Sequence, residues 1–301
     1  MNPSTSDKRL VGYAAGIAAG ISYGMNPLFG KPLLESGVPV MVMLLFRYLF
    51  SAIILGIWML LKRDSFRVPG RALWLLCVLG LLFAGSSITL FCSYQFIPSG
   101  LATTLVYLYP VFVALIMVTL RLYTSWQTWV SILASFAGIA LLSIPSGGVT
   151  LKTAGLALAT GSALCYSFYL VIINRSKGIR KISAHTLTFY ALLTGVLLFS
   201  AIILAQGGNF TEGISSGADW GCLLGLAIFP TMISMLTLAV STRYIGPTKT
   251  SVLGVFEPLT AILIGVLVFG EPFTLQIAAG VLICIAAVIF MILKPGKSNV
   301  A

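Results

Sequence analysis

Residues 38–61 read VPVMVMLLFRYLFSAIILGIWMLL, a run with one charge, Arg47, that as a helix is long enough to cross the roughly 30 Å apolar core of a bilayer. Comparable stretches lie at Leu10–Phe29, Ala72–Cys92, Gly100–Leu120, Trp126–Ile144, Ala154–Ile173, His185–Ala205, Trp220–Ser241, Thr248–Phe269 and Phe273–Leu293, so ten expected spans occupy nearly all of the 301 residues. In lipid an open sheet edge or an irregular segment would leave backbone donors and acceptors unpaired, and barrel strands would be half this length. The composition suits no water-facing surface: 58% hydrophobic, 8% charged, mean hydropathy +1.05. The expected fold class is an all-α integral membrane protein with ten transmembrane helices.

Ten spans put both ends of the chain on one side. Sorted by alternate loops, all of the 18 Lys and Arg residues except Lys31, Lys152 and Arg47 fall on that side, which the positive-inside rule makes cytoplasmic. The net charge of +11 then sits where insertion and anionic headgroups favour it, and no nucleic-acid motif accompanies it. Lys8 and Arg9 ahead of the first apolar run read as the flank of a retained helix rather than of a cleaved leader. The five cysteines are scattered, with no CxxC or Cys/His cluster, so no metal, cofactor or disulfide framework is expected. Compact loops favour a bacterial inner membrane.

The second half of the sequence repeats the first weakly but in order. Leu79-Gly80 matches Leu224-Gly225; Ile97, Leu105 and Pro110 match Ile245, Leu253 and Pro258; Gln127 matches Gln276, Tyr23 matches Tyr166 and Phe46 matches Phe189, with offsets drifting only from 143 to 149. Units of five spans, residues 1–147 and 148–301, must enter the membrane from opposite sides. Such inverted repeats are the signature of carriers that alternate between outward- and inward-facing states, with a substrate site near midplane between the copies.

The stretch Glu257-Pro258-Leu259-Thr260-Ala261, followed by Phe269-Gly270-Glu271-Pro272-Phe273-Thr274-Leu275-Gln276 and Gly280, resembles the EP, GE, LT-Q and G pattern of the drug/metabolite transporter superfamily in its ten-helix form with two EamA-type halves. Pro110, Gln127 and Gly138 fit a similar plan in the first half, but Leu122 stands where the loop acid should be, so any role of Glu271 is one-sided. The resemblance implies a carrier of small metabolites. Chain length and Tyr-rich inner spans look most like bacterial amino-acid exporters, the aromatic-amino-acid branch among them.

Candidate residues follow from what is costly or unusual inside a membrane. Glu257 falls in mid-span, where a carboxylate must face protein, a watery cavity, or be protonated; it would bind a substrate ammonium, carry a coupling proton, or serve as a structural hydrogen-bond acceptor. Arg47, about ten residues into its span, either snorkels outward, pairs with Glu257, or faces the cavity, where the two charges would suit a zwitterion. Tyr23, Tyr107, Tyr109, Tyr166 and Tyr169 lie away from the interfaces, with Asn26 on the face of Tyr23. The repeat pairs Asn26 with Tyr169 and Tyr109 with Glu257. These polar-tipped rings either pack with satisfied hydroxyls or line a cavity for an apolar or aromatic substrate.

Gly12, Gly16, Gly20 and Gly24 form overlapping GxxxG units, and Gly246, Thr250, Gly254, Ala261 and Gly265 make a second small-residue face; each reads as static helix packing or as a rocking seam. Pro110 and Pro258 remove amides and are expected to bend their helices. Ser86, Ser87 and Thr89 line the path or bond between helices, and His185 reads as a solvated or lipid-facing residue. A membrane enzyme is disfavoured by the absence of HExxH, GxSxG, paired carboxylates and a phosphate-binding helix start. A channel is disfavoured by the lack of a filter sequence. A nucleotide-sugar or sugar-phosphate exchanger would need several cavity cations. The expected partners are the lipid bilayer and a small-molecule substrate moved by alternating access.

Overall fold

The structure, a computed structural model, describes residues 5–120, 126–143, 152–176, 178–179, 182–245, 250 and 253–293. All regular structure in it is helical: α1 (Thr5–Gly24), α2 (Asn26–Glu35), α3 (Val40–Lys62), α4 (Gly70–Ser93), α5 (Ser99–Val106), α6 (Tyr109–Thr119), α7 (Trp126–Ser143), α8 (Thr153–Arg175), α9 (Ala184–Ala205), α10 (Gly217–Leu226), a π-helical turn (Ala227–Ile233), α11 (Ser234–Ile245), α12 (Phe256–Phe269) and α13 (Leu275–Leu293). Six stretches are long and apolar enough to cross a membrane: Val40–Lys62, Ala72–Ser93, Ser99–Thr119, Thr153–Ile173, Ala184–Ala205 and Gly217–Ser241. Phe256–Phe269 and Leu275–Phe290 are apolar but shorter. Leu122 and Gly246 lie outside the described residues.

Local sequence sets the boundaries. Pro39, Pro69 and Pro98 immediately precede α3, α4 and α5, where a missing amide breaks no helical bond. Ser216 and Asp219 close a reciprocal capping box at the start of α10, and Gly270 ends α12 at φ 61°. Leucines on helix faces remain open where lipid would cover them, Leu267 being 77% and Leu275 88% exposed.

Packing interleaves the two halves of the sequence. From the first half, α1 lies along α11 and α12; α4 lies between α8 and α9; α3 packs on α9, and α7 on α13. The two sequence halves thus pack into one another rather than side by side. The helices group as α1, α11 and α12 on one side and α4, α8 and α9 on the other, with α5 packed against both α12 and α8.

Candidate functional site

Four helix interruptions carry the polar groups of the site, and proline chemistry explains two of them. Pro27 has no N–H, so the Tyr23 carbonyl four residues earlier loses its helical donor, and Asn26 Nδ2 donates to it instead at 2.8 Å. Asn26 is 1% exposed and its Oδ1 has no partner among the described residues. In the π-helical turn Pro230 likewise has no N–H to give the Leu226 carbonyl four residues earlier. Thr231 Oγ1 donates to that carbonyl at 3.0 Å while accepting from Arg47 Nε at 3.2 Å. A side chain next to each proline thus donates to the carbonyl that the missing amide would have served, and both lie at the site.

The third interruption separates α5 from α6 at Tyr107 and Leu108, and Pro110 falls in the first turn of α6. Ser167 Oγ donates to the Tyr109 carbonyl at 3.0 Å and ties the break to α8. The fourth precedes α12: Glu257 N donates to the Gly254 carbonyl at 3.0 Å, and Glu257 and Pro258 stand in the first turn of the helix. Pro110 and Pro258 therefore begin helices rather than bend them, because first-turn amides have no helical acceptor to lose.

Arg47 does not snorkel. It is 4% exposed, held by Thr231, with its guanidinium 5.4 Å from the centroid of Phe91. Its two terminal nitrogens, the fork that grips carboxylates, make no hydrogen bond among the described residues. Half-buried Glu257 makes no hydrogen bond or ion pair through its carboxylate among the described residues, and it does not pair with Arg47. Tyr23 lies within electrostatic reach of both, and Tyr107, Tyr109 and Tyr166 within reach of Glu257.

The tyrosines form a continuous wall. Tyr109 stands edge-on between Tyr107 (6.3 Å) and Tyr166 (5.0 Å), Tyr166 stacks on Tyr169 at 5.7 Å, and Tyr169 continues to Phe83 at 5.5 Å and from there to Tyr48 at 5.7 Å. The hydroxyls of Tyr23, Tyr109, Tyr166 and Tyr169 make no hydrogen bond among the described residues, unlike Tyr48, which bonds Ser87 Oγ at 2.6 Å. Unclaimed tyrosine hydroxyls, one guanidinium fork and one carboxylate are thus the polar groups of the site.

The glycine stripe sets how closely α1 approaches the site. An added Cβ at Gly12 would lie 2.9 Å from Tyr244 Cβ; Gly16 faces Ser241 and Leu253; Gly20 faces Phe256; and at Gly24 it would lie 2.6 Å from the Glu257 carbonyl oxygen. The stripe is the seam between α1 and the helices of the other half, and its last member touches the backbone of Glu257.

Two matches to one family profile span residues 10–144 and 153–293, under the description EamA-like transporter family. The chain belongs to that family. It is a membrane transporter, not an enzyme. Relatives of this EamA-like chain include an uncharacterized transporter of Archaeoglobus fulgidus, 28% identical over 71% of this chain and 76% of its own length, and the uncharacterized transporter YdfC of Bacillus subtilis, 25% identical over 85% and 82%. A crystal structure with 20% sequence identity shares the fold at a TM-score of 0.63, covering 96% of this chain and 98% of its own.

Several contacts of the EamA-like chain were not legible in the sequence. Thr231, Phe91, Tyr48 and Phe83 complete the surroundings of Arg47 and the tyrosine wall; the one available signal was Thr231 following a mid-span proline. Ser86 bonds Ser162 between α4 and α8 at 2.9 Å, the interhelical use, whereas Thr89 bonds back to its own helix. His185 is not simply solvated: Nδ1 lies 3.0 Å from Asp64 Oδ2 and the ring meets Trp58 edge-on at 4.6 Å.

Proposed function

We propose that this transporter is an alternating-access carrier that exports small zwitterionic metabolites, amino acids first, through ten spans arranged as two oppositely oriented five-helix units, residues 1–147 and 148–301. It would sit in a bacterial inner membrane with both termini in the cytoplasm. The two family matches, each covering one unit, support the division. The observation that carries the substrate reading is the pair of unclaimed charges: the Arg47 fork and the Glu257 carboxylate, with Tyr23 near both. Burying either charge without a counter-ion is costly, so a solute bearing carboxylate and ammonium would neutralise both at once, with the apolar part of its side chain against the tyrosine wall. One guanidinium is too little for a phosphate-rich nucleotide sugar.

Reconstitution into liposomes tests the proposal. Labelled amino acids should show counterflow, which only a carrier displays, and amines or carboxylic acids lacking the second charge should compete at least about tenfold more weakly, the factor expected for losing one charge-assisted contact. Counterflow of singly charged solutes with none of any amino acid would overturn the zwitterion reading.

A further inference from the structure

The most heavily bonded carboxylate among the described residues lies at neither Glu257 nor Arg47 but in the turn between α12 and α13. Glu271 Oε1 accepts from Lys31 Nζ on α2 at 2.9 Å and from Ser99 Oγ at 2.8 Å, and Oε2 accepts from Ser99 N at 2.9 Å and from Gly100 N at 3.5 Å. Lys31 also rests 4.6 Å from the Phe269 ring centroid, and the Glu271 side chain is only 8% exposed. One carboxylate thus joins three pieces: α2, the start of α5 with its otherwise orphaned amides, and the α12–α13 turn.

The joint lies over a close backbone approach. A Cβ on Gly100 would sit 2.6 Å from Ile262 Cα, so α5 and α12 meet almost backbone to backbone. Tyr94 links α5 to the polar site: its hydroxyl bonds Thr103 at 3.4 Å, and its ring meets, at 5.3 Å, the ring of Phe91 that lies beside Arg47. Beyond the break at Tyr107 the same span leaves α12 but stays on α8, and α6 packs mainly on α8 and α7. On the proposed topology the α5 end faces outward, and the first-half residue aligned with Glu271 is Leu122, which can make no such bonds.

We infer that Glu271 is the latch of an outer gate: its bonds to Lys31 and to Ser99 and Gly100 hold α5 against α12 while the outer path is shut, and outward opening requires their release. Glu271 acts through α5 and is a positioning residue, not a substrate contact. Because the inner end has Leu122 in the corresponding place, the empty carrier rests shut outside and waits for solute from the cytoplasm, as an exporter should. The inference rests on the alternating-access reading, but its test needs no substrate.

In a variant with the five native cysteines replaced by Ser, a single Thr103→Cys reports on the outer path through a membrane-impermeant thiol reagent added outside. With the latch intact, labelling should be slow. Glu271→Ala should accelerate it about tenfold or more, and Lys31→Met, which leaves the Ser99 bonds in place, should accelerate it less. The Lys31→Glu, Glu271→Lys exchange should not restore slow labelling, because a lysine cannot accept from the α5 amides. Unchanged labelling in Glu271→Ala and Lys31→Met proteins that elute as single species would overturn the latch, as would full restoration by the charge exchange. Failure to find amino-acid counterflow would sink the substrate reading and leave these rates untouched.

Discussion

At the residue scale, the two mid-span charges are not equivalent. Arg47 is fixed by Thr231 and Phe91 and presents an oriented fork, whereas among the described residues Glu257 is held only by its backbone at the start of α12. A lysine at position 47 cannot keep the Thr231 bond and offer two parallel donors at once, so Arg47→Lys should reduce amino-acid exchange about tenfold or more despite keeping the charge. Glu257→Gln should reduce it comparably while sparing solutes that lack an ammonium; an unaltered solute profile in vesicles would remove Glu257 from the binding site. Thr231 works through Arg47. Thr231→Ser keeps the hydroxyl that caps Leu226 and anchors the guanidinium and should behave as wild type, whereas Thr231→Val should lose about 1–3 kcal/mol of stability in thermal unfolding together with part of the exchange activity. Sequence reading could find Arg47 and Glu257 because a charge inside an apolar run stands out. It could not find Thr231, since a threonine in a membrane helix is commonplace and its partner lies 184 positions away.

At the element scale, hydropathy reveals where apolar helices run but not where they stop mid-membrane. Pro110 and Pro258 fall in first turns, where no helical bond is missed, whereas beside Pro27 and Pro230 a neighbouring side chain reaches the carbonyl that the amide would have served, a local arrangement that hydropathy does not show. The glycine stripe of α1 was legible as a packing face, though not which helix covered it. Its partners give it a sharper test. Gly24→Ala would push a methyl into the Glu257 carbonyl, and backbone cannot rotate away as a side chain can. It should cost about 1–3 kcal/mol from overpacking, read as a lowered midpoint of thermal unfolding in detergent. Gly161→Ala in α8 is the control: nothing lies within 4 Å of the added carbon, and it should be neutral or mildly stabilising. Equal losses in both variants would mean that the stripe has no special role.

At the scale of the whole molecule, the sequence halves and the packed groups are different partitions of the same helices. Weak internal repetition can reveal a duplication, yet it says nothing of how the copies interleave, because α1 finds its neighbours in α11 and α12 only after the chain has folded back on itself. The two partitions make opposite demands on a crosslink. If the halves moved as units, a bridge from α1 to α11 would lock the carrier; if α1, α11 and α12 move together, that bridge would be harmless, and one from α5 to α12 would lock it. Gly12→Cys with Tyr244→Cys places the first pair, whose Cβ atoms would start 2.9 Å apart, and Gly100→Cys with Ile262→Cys places the second across the outer contact. A small relaxation brings the first pair within the roughly 3.5–4.5 Å Cβ separation that a disulfide accepts, and at the second the new side chain meets the Ile262 backbone, so α5 and α12 part slightly to take the bridge. With other cysteines removed, oxidation of the α1–α11 pair should leave exchange in vesicles intact, and oxidation of the α5–α12 pair should abolish it until reductant is added. The reverse result would restore the two halves as the moving bodies. Loss of exchange in both would show that α1 slides along α11 during the cycle, so that the glycine stripe is a moving seam rather than a fixed one.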